Sequence, residues 1–278
     1  MYKDFFSLKD FPFGMAPDPA YFYPSKRHQE ALDCLLYTIA ERKGFCVVTG
    51  PVGSGKTTLC RTFMSRLDAD SQIAMITHTL MTSKQLIMSI LTELEIPYDE
   101  RSSKTTLLNR FNEFLIETFA QNRHVVLVID EAQNLTPSLL EEVRLLSNLE
   151  TEREKLIQII LLGQPELYDK LCQHRLRQLR QRVALQVRLE GLTLEETRGY
   201  VRHRLELAGA NGELDFTESA IRSIYEHSNG VPRLINLIGD AALLVGYATK
   251  RHTIDRPLIE EVVRDPMHNF ALQHDRES

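Results

Sequence analysis

At positions 50–57 the chain reads Gly50-Pro51-Val52-Gly53-Ser54-Gly55-Lys56-Thr57, which matches the pattern G-x-x-x-x-G-K-[ST] throughout. An apolar, β-branched run at 45–48 precedes this stretch, and a helix-permissive run at 58–64 follows it. The pattern therefore predicts a strand, a phosphate-binding loop and a helix in that order. A glycine-rich turn without a ligand is the competing interpretation.

The residue types in this loop account for its spacing. Gly50, Gly53 and Gly55 allow a turn so tight that a Cβ would clash, and the main-chain N–H groups then point inward at a helix N-terminus. The Lys56 ammonium reaches the β- and γ-phosphate oxygens, and the Thr57 hydroxyl binds Mg²⁺. We therefore expect ATP and Mg²⁺ as cofactors. The residues expected to hold the nucleotide are Gly50, Pro51, Val52, Gly53, Ser54, Gly55, Lys56, Thr57 and Thr58.

The composition is that of a soluble globular protein. The chain has 278 residues, of which 43% are apolar and 26% are charged, and its formal net charge is −5. That charge disfavours broad binding to nucleic acid, because duplex affinity comes mainly from neutralising phosphates. We expect a cytoplasmic protein that reaches the inner membrane, if at all, through a partner, because no apolar run has the length of a membrane span. The cysteines are scattered and are expected to be reduced: Cys34, Cys46, Cys60 and Cys172.

Two adjacent acids follow a buried strand. The run Val125–Ile129 has no polar alternation, as expected for a parallel strand that is buried on both faces, and Asp130 and Glu131 come directly after it. Ligands of open α/β sheets bind at the carboxyl ends of such strands. We therefore assign Asp130 to direct or second-shell Mg²⁺ binding and Glu131 to polarising the attacking water. The competing interpretation is a strand that ends in solvated acids.

A glutamine follows the next strand, Ile157–Leu162, in the stretch Gly163-Gln164-Pro165. Gln164 would lie beside the γ-phosphate, where it helps to orient the water. A turn-forming glutamine before a proline explains the residue equally well, so both interpretations stay open here.

Arginines are concentrated between positions 173 and 188, where no acid occurs. One interpretation is an arginine that completes the ATP site of a neighbouring subunit, for which Arg182 and then Arg180 are the best placed, just before the last strand. Contacts with the phosphate backbone of DNA are a second interpretation, and a solvated basic face is a third. The arginines concerned are Arg175, Arg177, Arg180, Arg182 and Arg188.

The order of predicted elements indicates two domains of unequal size. We expect an N-terminal strap at 1–24, a nucleotide-binding domain at 25–190, an all-helical domain at 191–265 and a polar, fraying tail at 266–278. Thr193 begins the helical part with a capping box. The predicted strands are Phe45–Thr49, Ile73–Ile76, Val125–Ile129, Ile157–Leu162 and Val183–Val187.

Arg233 lies in the first turn of a predicted helix, after Gly230-Val231-Pro232. A cation there opposes the helix dipole, so local electrostatics do not favour it. A nearby triphosphate would favour it, and we therefore expect Arg233 to contact ATP and to report its presence to the small domain. A surface arginine with long reach is the alternative.

With these residues, the chain resembles the AAA+ ATPases of the initiator-like kind. It is most similar to the general secretion pathway protein A (ExeA-like) family, including its short pilus-biogenesis members. The resemblance covers nearly the whole chain. It rests on Thr49–Leu59, Ile129–Gln133, Gly163–Leu167, Leu179–Arg182 and Gly230–Arg233, together with the Phe-Pro-Phe and Asp18-Pro19 start.

The resemblance implies an α/β P-loop NTPase with a five-stranded parallel sheet in the order 5-1-4-3-2 and a small C-terminal helical lid. It also implies ATP hydrolysis at subunit boundaries, in rings or filaments. Longer members continue into a transmembrane segment and a peptidoglycan-binding domain. This chain ends before either could start, which favours a short member or a truncated chain.

The function expected from these observations is a Mg²⁺-dependent ATPase that couples ATP to assembly of a bacterial envelope machine, either type II secretion or a related pilus, with an inner-membrane partner protein. Lys56, Arg233 and a neighbour's Arg182 would neutralise developing charge while Glu131 aims the water. A DNA-transposition helper ATPase that binds duplex DNA through the Arg175–Arg188 patch is one alternative. A nucleotide-gated scaffold with little turnover is another.

Overall fold

The computed structural model describes residues 2–150 and 154–265, and the predicted tail at 266–278 lies outside the described residues. The strands of the described chain are β1 (Phe45–Thr49), β2 (Gln72–Ile76), β3 (Val125–Ile129), β4 (Gln158–Gly163), β5 (Val183–Arg188), β6 (Asp215–Phe216) and β7 (Thr253–Ile254). Its α-helices are α1 (Tyr2–Phe5), α2 (Lys26–Ala40), α3 (Lys56–Ser65), α4 (Ser83–Glu93), α5 (Lys104–Ala120), α6 (Pro137–Leu146), α7 (Pro165–Cys172), α8 (Arg177–Arg180), α9 (Leu194–Leu207), α10 (Glu218–Ser228), α11 (Pro232–Ala248) and α12 (Arg256–Arg264).

The described residues form two compact units. The first, which we call the sheet unit, comprises Lys26–Val52 and Leu59–Leu189. The second, the helical unit, comprises residues 2–25, 53–58 and 190–265. Each unit has its own apolar core.

The sheet unit is built on a parallel sheet with the strand order β2-β3-β4-β1-β5. Read from the other edge, this is the predicted order 5-1-4-3-2, which is confirmed, and each predicted strand is present with its ends shifted by at most one residue. Thr49 of β1 pairs with Gly163 of β4, and Ile129 of β3 pairs with Leu161. The carboxyl ends of these three central strands therefore lie together at one edge of the sheet.

Burial explains the sequence of each strand. Every residue of β1, β3 and β4 is buried, which accounts for their continuous apolar runs. The edge strand β5 alternates between partly buried and exposed residues, so its sequence alternates as well. The sequence of each of these strands therefore indicates whether the strand is central in the sheet or at its edge.

Side-chain caps determine where several helices begin. Thr136 lies before α6 and its hydroxyl accepts a hydrogen bond from the Leu139 N–H at 3.2 Å, while Pro137 occupies the first helical position. The predicted capping box of α9 is present, because Thr193 Oγ1 accepts from the Glu196 N–H at 3.2 Å and Glu196 Oε2 accepts from the Thr193 N–H at 2.9 Å. The helix α9 therefore begins where the sequence predicts.

The N-terminal segment belongs to the core of the helical unit. Phe6 and Phe13 are buried there, beside residues of α9 to α12 such as Val201 and Ile235. The described part of this segment contains the short helix α1 and a 3₁₀ turn at Pro19–Tyr21. Its prolines explain why longer helices are missing from these residues.

A buried arginine joins the N-terminal segment to α9. Arg204 is 6% exposed, its Nε donates to the Pro12 carbonyl, its NH2 donates to the Gly14 carbonyl at 3.2 Å and its NH1 donates to the Tyr200 hydroxyl at 2.9 Å. The guanidinium also lies over the ring of Tyr21, 4.6 Å from its centroid. Two backbone carbonyls and one aromatic ring of the N-terminal segment therefore contact the Arg204 guanidinium.

The helical unit also contains a small element that was not expected. Asp215 pairs with Thr253 and Phe216 pairs with Ile254, so β6 and β7 form a two-stranded parallel sheet. The prediction that this domain is all-helical is wrong in this detail. Strands of two residues are too short to leave a periodic pattern in the sequence.

No helix among residues 2–150 and 154–265 is long and apolar enough to cross a membrane.

Candidate functional site

The phosphate-loop stretch has the backbone that its glycines allow. Gly53 and Gly55 have φ values of +77° and +92°, in the region that residues with a Cβ rarely adopt, and α3 begins immediately afterwards at Lys56. Lys56 is buried, with 6% of its surface exposed. The conformation expected of a phosphate-binding loop is therefore present at two of the three predicted glycines.

Gly50 serves this loop in another way. Its φ is not among the positive values of the described residues, so this glycine does not adopt the left-handed region. Instead, its N–H donates to the carbonyl oxygen of Gly163 at 3.1 Å. This bond ties the first residue after β1 to the end of β4.

Asp130 is a buried carboxylate at the carboxyl end of β3. It is 5% exposed, and its backbone N–H donates to the Ile76 carbonyl at 2.9 Å, which continues the pairing of β3 with β2. The pKa of Cys60 on α3 is raised to about 12, first by burial and second by the negative charge of Asp130. The helix that follows the phosphate loop therefore runs close to this carboxylate.

Glu131 occupies an unusual backbone conformation. Its φ and ψ are +51° and +38°, in the left-handed region, and its N–H donates to Asp130 Oδ1 at 2.8 Å. A residue with a Cβ pays strain of about 1–2 kcal/mol in this conformation. The strained turn makes the chain leave β3 sharply and presents the Glu131 side chain at the end of the strand.

Two glutamine amides converge on one oxygen of Glu131. Gln133 Nε2 donates to Glu131 Oε2 at 2.5 Å, and Gln164 Nε2 donates to the same oxygen at 3.3 Å. The Gln133 Oε1 atom accepts from the backbone N–H of Gln164 at 3.0 Å. The ends of β3 and β4 are thus joined by a closed set of hydrogen bonds around one carboxylate.

Gln164 lies at the turn that its competing interpretation expects, and its place beside a γ-phosphate stays a prediction. Its backbone caps α7, which begins with Pro165, and its side chain makes no capping bond. The side chain instead reaches Glu131. Gln133 was not singled out from the sequence, although its position two residues after Glu131 was a usable signal.

The arginines between 175 and 188 differ in their contacts. Arg182 NH1 donates to Ser147 Oγ at 2.7 Å, and Arg180 NH1 donates to the Cys172 carbonyl at 3.2 Å. Arg177 and Arg188 are exposed. Of this group, Arg182 is the most firmly held by its own chain.

Arg182 lies at the opposite edge of the sheet from Asp130. It immediately precedes β5, and the strands are parallel, so it is at the amino edge whereas Asp130 and Gln164 are at the carboxyl edge. The pKa of Lys155, which precedes β4, is lowered by burial and then by the charge of Arg182. Arg182 is therefore remote from the acids of its own sheet.

Arg233 and Gly53 meet through their backbones within the helical unit. The Arg233 N–H donates to the Gly53 carbonyl at 3.2 Å, and a Cβ built on Gly53 would lie 2.5 Å from Arg233 Cβ. The Arg233 side chain is exposed. The first turn of α11 therefore packs directly on the tip of the phosphate loop.

The predicted site residues thus fall into three groups. In the sheet unit, Asp130, Glu131 and Gln164 come together, and Gly50, the first residue after β1, is bonded to the end of β4. In the helical unit, Gly53 contacts Arg233. Arg182 is separate from both acids.

Comparison with known proteins assigns a domain type to part of the chain. A family model described as an AAA domain matches residues 39–171. The chain is also 41% identical over 254 residues to general secretion pathway protein A of Aeromonas hydrophila, in an alignment that covers 91% of this chain and 46% of that protein. The chain therefore spans about half the length of this curated relative.

Solved structures share the fold. The ORC2 protein of Aeropyrum pernix, in its ADPNP–ADP complexes, has a TM-score of 0.68 at 14% identity, over 91% of this chain and 71% of that one. Cdc6p from Pyrobaculum aerophilum has a TM-score of 0.65 at 20% identity, over 85% of this chain and 68% of that one. At these identities the likeness establishes the fold alone. Residues 39–171 therefore match an AAA domain, and over 91% of its length the chain is similar to general secretion pathway protein A.

Proposed function

We propose that this chain is a Mg²⁺-dependent ATPase. The observation that carries the proposal is the arrangement at the carboxyl edge of the sheet, where the phosphate-loop stretch follows β1 and the Asp130–Glu131 pair follows β3. Parallel α/β sheets bind their ligands at this edge. The positive φ values of Gly53 and Gly55 support phosphate binding, since they let backbone N–H groups face an anion.

In this proposal ATP is held by residues 50–58 and by Arg233. The Lys56 ammonium neutralises charge on the β- and γ-phosphates, and the loop amides bind the remaining oxygens. The exposed guanidinium of Arg233 has its backbone fixed on Gly53, which supports contact with the nucleotide. Binding of ATP would then engage the first turn of α11 directly.

Mg²⁺ would be held by Thr57 and Asp130. This ion keeps several waters and takes few protein ligands, usually one or two oxygens together with substrate phosphates. A buried carboxylate such as Asp130, which is 5% exposed, suits that chemistry. The bound ion would supply charge neutralisation on the phosphates.

Hydrolysis in this proposal relies on Glu131 and on the amide of Gln164. The Glu131 carboxylate orients a water for attack on the γ-phosphate and accepts its proton. Gln164, whose amide is directed at this carboxylate, acts beside it. Lys56 and Arg233 stabilise the charge that develops.

We also propose that the active form is a self-associated ring or filament. Arg182 is at the amino edge of the sheet, so it suits the site of a neighbouring subunit rather than its own. An arginine supplied by a neighbour is an established way to stabilise phosphoryl-transfer charge. The domain boundaries near 25, 190 and 265 remain part of this proposal.

The cellular role that we propose is ATP-driven assembly of a bacterial envelope machine, in type II secretion or pilus biogenesis. The 41% identity to general secretion pathway protein A of Aeromonas hydrophila supports this role. The chain would act in the cytoplasm, at the inner membrane through a partner protein. A scaffold that binds ATP with little turnover is the alternative within the same fold.

Duplex DNA is a second candidate ligand, because arginines 175, 177 and 188 are exposed on one stretch of the sheet unit. The test is ATP-dependent binding to duplex DNA at several salt concentrations. A steep decrease of affinity with salt would support this candidate, and no binding at low salt would exclude it.

The ATPase proposal is tested with Glu131→Gln and with Glu117→Gln as a matched control on the exposed surface of α5. We expect Glu131→Gln to bind Mg²⁺-ATP like the wild type in titration calorimetry but to lose at least about 100-fold in kcat. Glu117→Gln should match the wild type in both assays. Equal hydrolysis by Glu131→Gln and wild type would remove Glu131 from its role. The absence of binding heat for folded wild type would overturn the whole assignment.

A further inference from the structure

The described residues contain a polar group that the proposed reaction does not yet use. Gln133 is partly buried in the 3₁₀ turn Ala132–Asn134, directly after Glu131. Both ends of its side-chain amide are engaged, by Glu131 on one side and by the backbone of Gln164 on the other.

The orientation of this amide is determined by its partners. A backbone N–H such as that of Gln164 can only donate, so the atom of Gln133 that faces it must be the oxygen. The amide nitrogen then faces the Glu131 carboxylate, which can only accept when it is ionised. No other orientation satisfies both contacts.

The backbone around Gln133 is anchored as well. The Lys170 ammonium on α7 donates to the carbonyl of Gln133 and, at 2.9 Å, to the carbonyl of Leu135. A Cβ built on Gly163, the last residue of β4, would lie 3.0 Å from Gln133 Oε1. The glycine at this position therefore leaves room for the Gln133 side chain. A long, flexible glutamine is thus held in one place by α7 and β4.

The consequence for Glu131 is that its two oxygens are not equivalent. Oε2 accepts from both Gln133 and Gln164. Within residues 2–150 and 154–265, Glu131 Oε1 has no hydrogen-bond donor. The two amides therefore bind Oε2 and leave Oε1 available to a water molecule.

We propose that Gln133 is a positioning residue that binds Glu131 Oε2, so that Oε1 is the oxygen that orients the attacking water. This proposal rests on the proposed ATPase function. Gln133 acts through Glu131 and contacts neither ATP nor the water. Its partner Gln164 supports the same oxygen over a longer distance.

The test compares Gln133→Met, which keeps the length of the side chain and removes its donor, with Gln29→Met. Gln29 is a matched control, because its amide also donates to a carboxylate, that of Asp33 at 2.7 Å, but on the surface of α2. We expect Gln133→Met to lower kcat by about 100-fold, the size of effect that a small misplacement of a reacting group produces. Its KM and its Kd for Mg²⁺-ATP should stay within about twofold of wild type, because the interaction is made for the transition state. Gln29→Met should behave as wild type.

Two further variants separate positioning from a purely structural role. Adding Gln133→Met to Glu131→Gln should cause no further loss of turnover, because a residue that acts only through Glu131 has nothing left to position. Gln133→Glu places a second carboxylate against Oε2, and two such groups do not both ionise readily. The acid limb of its kcat–pH profile should therefore move to higher pH.

The outcomes distinguish this inference from the proposal on which it depends. If the wild type hydrolyses ATP, Glu131→Gln does not, and Gln133→Met keeps the wild-type kcat, the inference is overturned and the ATPase proposal stands. An additive loss in the double variant would also overturn it. If the folded wild type itself does not hydrolyse ATP, the ATPase proposal is overturned and the inference with it.

Discussion

The backbone N–H of Arg233 donates a hydrogen bond to the carbonyl oxygen of Gly53, across 180 positions of sequence. The contact leaves no room between the two residues, since a Cβ built on Gly53 would lie 2.5 Å from Arg233 Cβ and 3.3 Å from Val231 Cγ1. The tip of the phosphate loop is therefore part of the helical unit in packing as well as in chain contacts.

Because of this contact, we predict that Gly53→Ala lowers stability and ATP affinity by more than the strained backbone conformation alone would. The alanine must adopt a φ of +77° and displace Arg233. Gly212→Ala is a matched control, because Gly212 has a φ of +92° but nothing within 4 Å of the added Cβ. We expect Gly212→Ala to lose about 1–2 kcal/mol of unfolding free energy and Gly53→Ala to lose more. Gly53→Ala should also bind ATP at least about tenfold more weakly, a change of about 1.4 kcal/mol.

Urea unfolding and titration calorimetry measure these two quantities. Equal stability and equal ATP affinity for the two variants would show that the close packing of Gly53 on Arg233 does not matter for binding.

Arg182 is predicted to act on the site of a neighbouring subunit. Arg182→Ala and Glu131→Gln should each be inactive alone, and a 1:1 mixture should recover about a quarter of wild-type turnover, because random head-to-tail contacts pair an intact Glu131 with an intact Arg182 at that frequency. Steady-state ATPase assays of the mixture measure the recovery.

Ser147→Ala is the control for this experiment. Ser147 Oγ accepts from Arg182 NH1 at 2.7 Å, so its removal frees the guanidinium without deleting it. We expect Ser147→Ala to keep its turnover. If it is as inactive as Arg182→Ala, or if the mixture recovers nothing, Arg182 has a structural role within its own chain.

Arg204 is predicted to be essential for the stability of the helical unit. Arg204→Ala removes the donor to the buried Pro12 carbonyl and to the Tyr200 hydroxyl and leaves the Gly14 carbonyl with the 3.5 Å bond from Asn236 Nδ2, which should lower the unfolding free energy by about 3 kcal/mol or more. Arg202→Ala, on the exposed face of the same helix, removes a surface ion pair with Glu218 and should cost at most about 1 kcal/mol.

Denaturant unfolding of both variants provides the comparison. Arg204→Lys should restore only part of the loss, because an ammonium lacks the planar fork of donors that serves three acceptors at once. Equal effects of Arg204→Ala and Arg202→Ala would contradict this assignment.

His124 is predicted to make the sheet unit less stable in acid. Burial lowers the pKa of His124, the charge of Arg42 lowers it further, and the neighbouring Gln158 side chain acts in the opposite direction. Between the lowered pKa of the folded state and the unfolded value of about 6.5, the unfolded chain binds more protons. The free energy of unfolding therefore falls as the pH drops from neutral through that range.

The measurement is urea unfolding at pH 7 and pH 5 for wild type and for His124→Gln. The variant should lose less stability than the wild type between the two pH values. Parallel losses would show that His124 is not responsible for the pH dependence.

Local patterns were sufficient for the five strands of the large sheet and for the start of α9, but not for the two-residue strands β6 and β7. A continuous apolar run predicts a buried strand because a parallel strand covered on both faces has no polar position, and β3 meets that expectation at every residue. Thr193 and Glu196 predict a helix start because both partners of the capping box lie within one turn. The adjacency of the strands came from the resemblance to a family, since no local pattern encodes it.

The sequence by itself determined the strand, the glycine loop and the helix around Lys56, and the pair Asp130–Glu131 at the end of a buried strand, because these depend on residues close together in the chain. Only the tertiary structure decided that Gln133 and Gln164 converge on Glu131, that Arg233 packs on Gly53, and that Arg182 lies at the other edge of the sheet from Asp130. The physical reason is that hydrogen bonds between side chains distant in sequence form only after parallel strands are paired and their ends brought together, and single-sequence periodicity carries no record of that pairing.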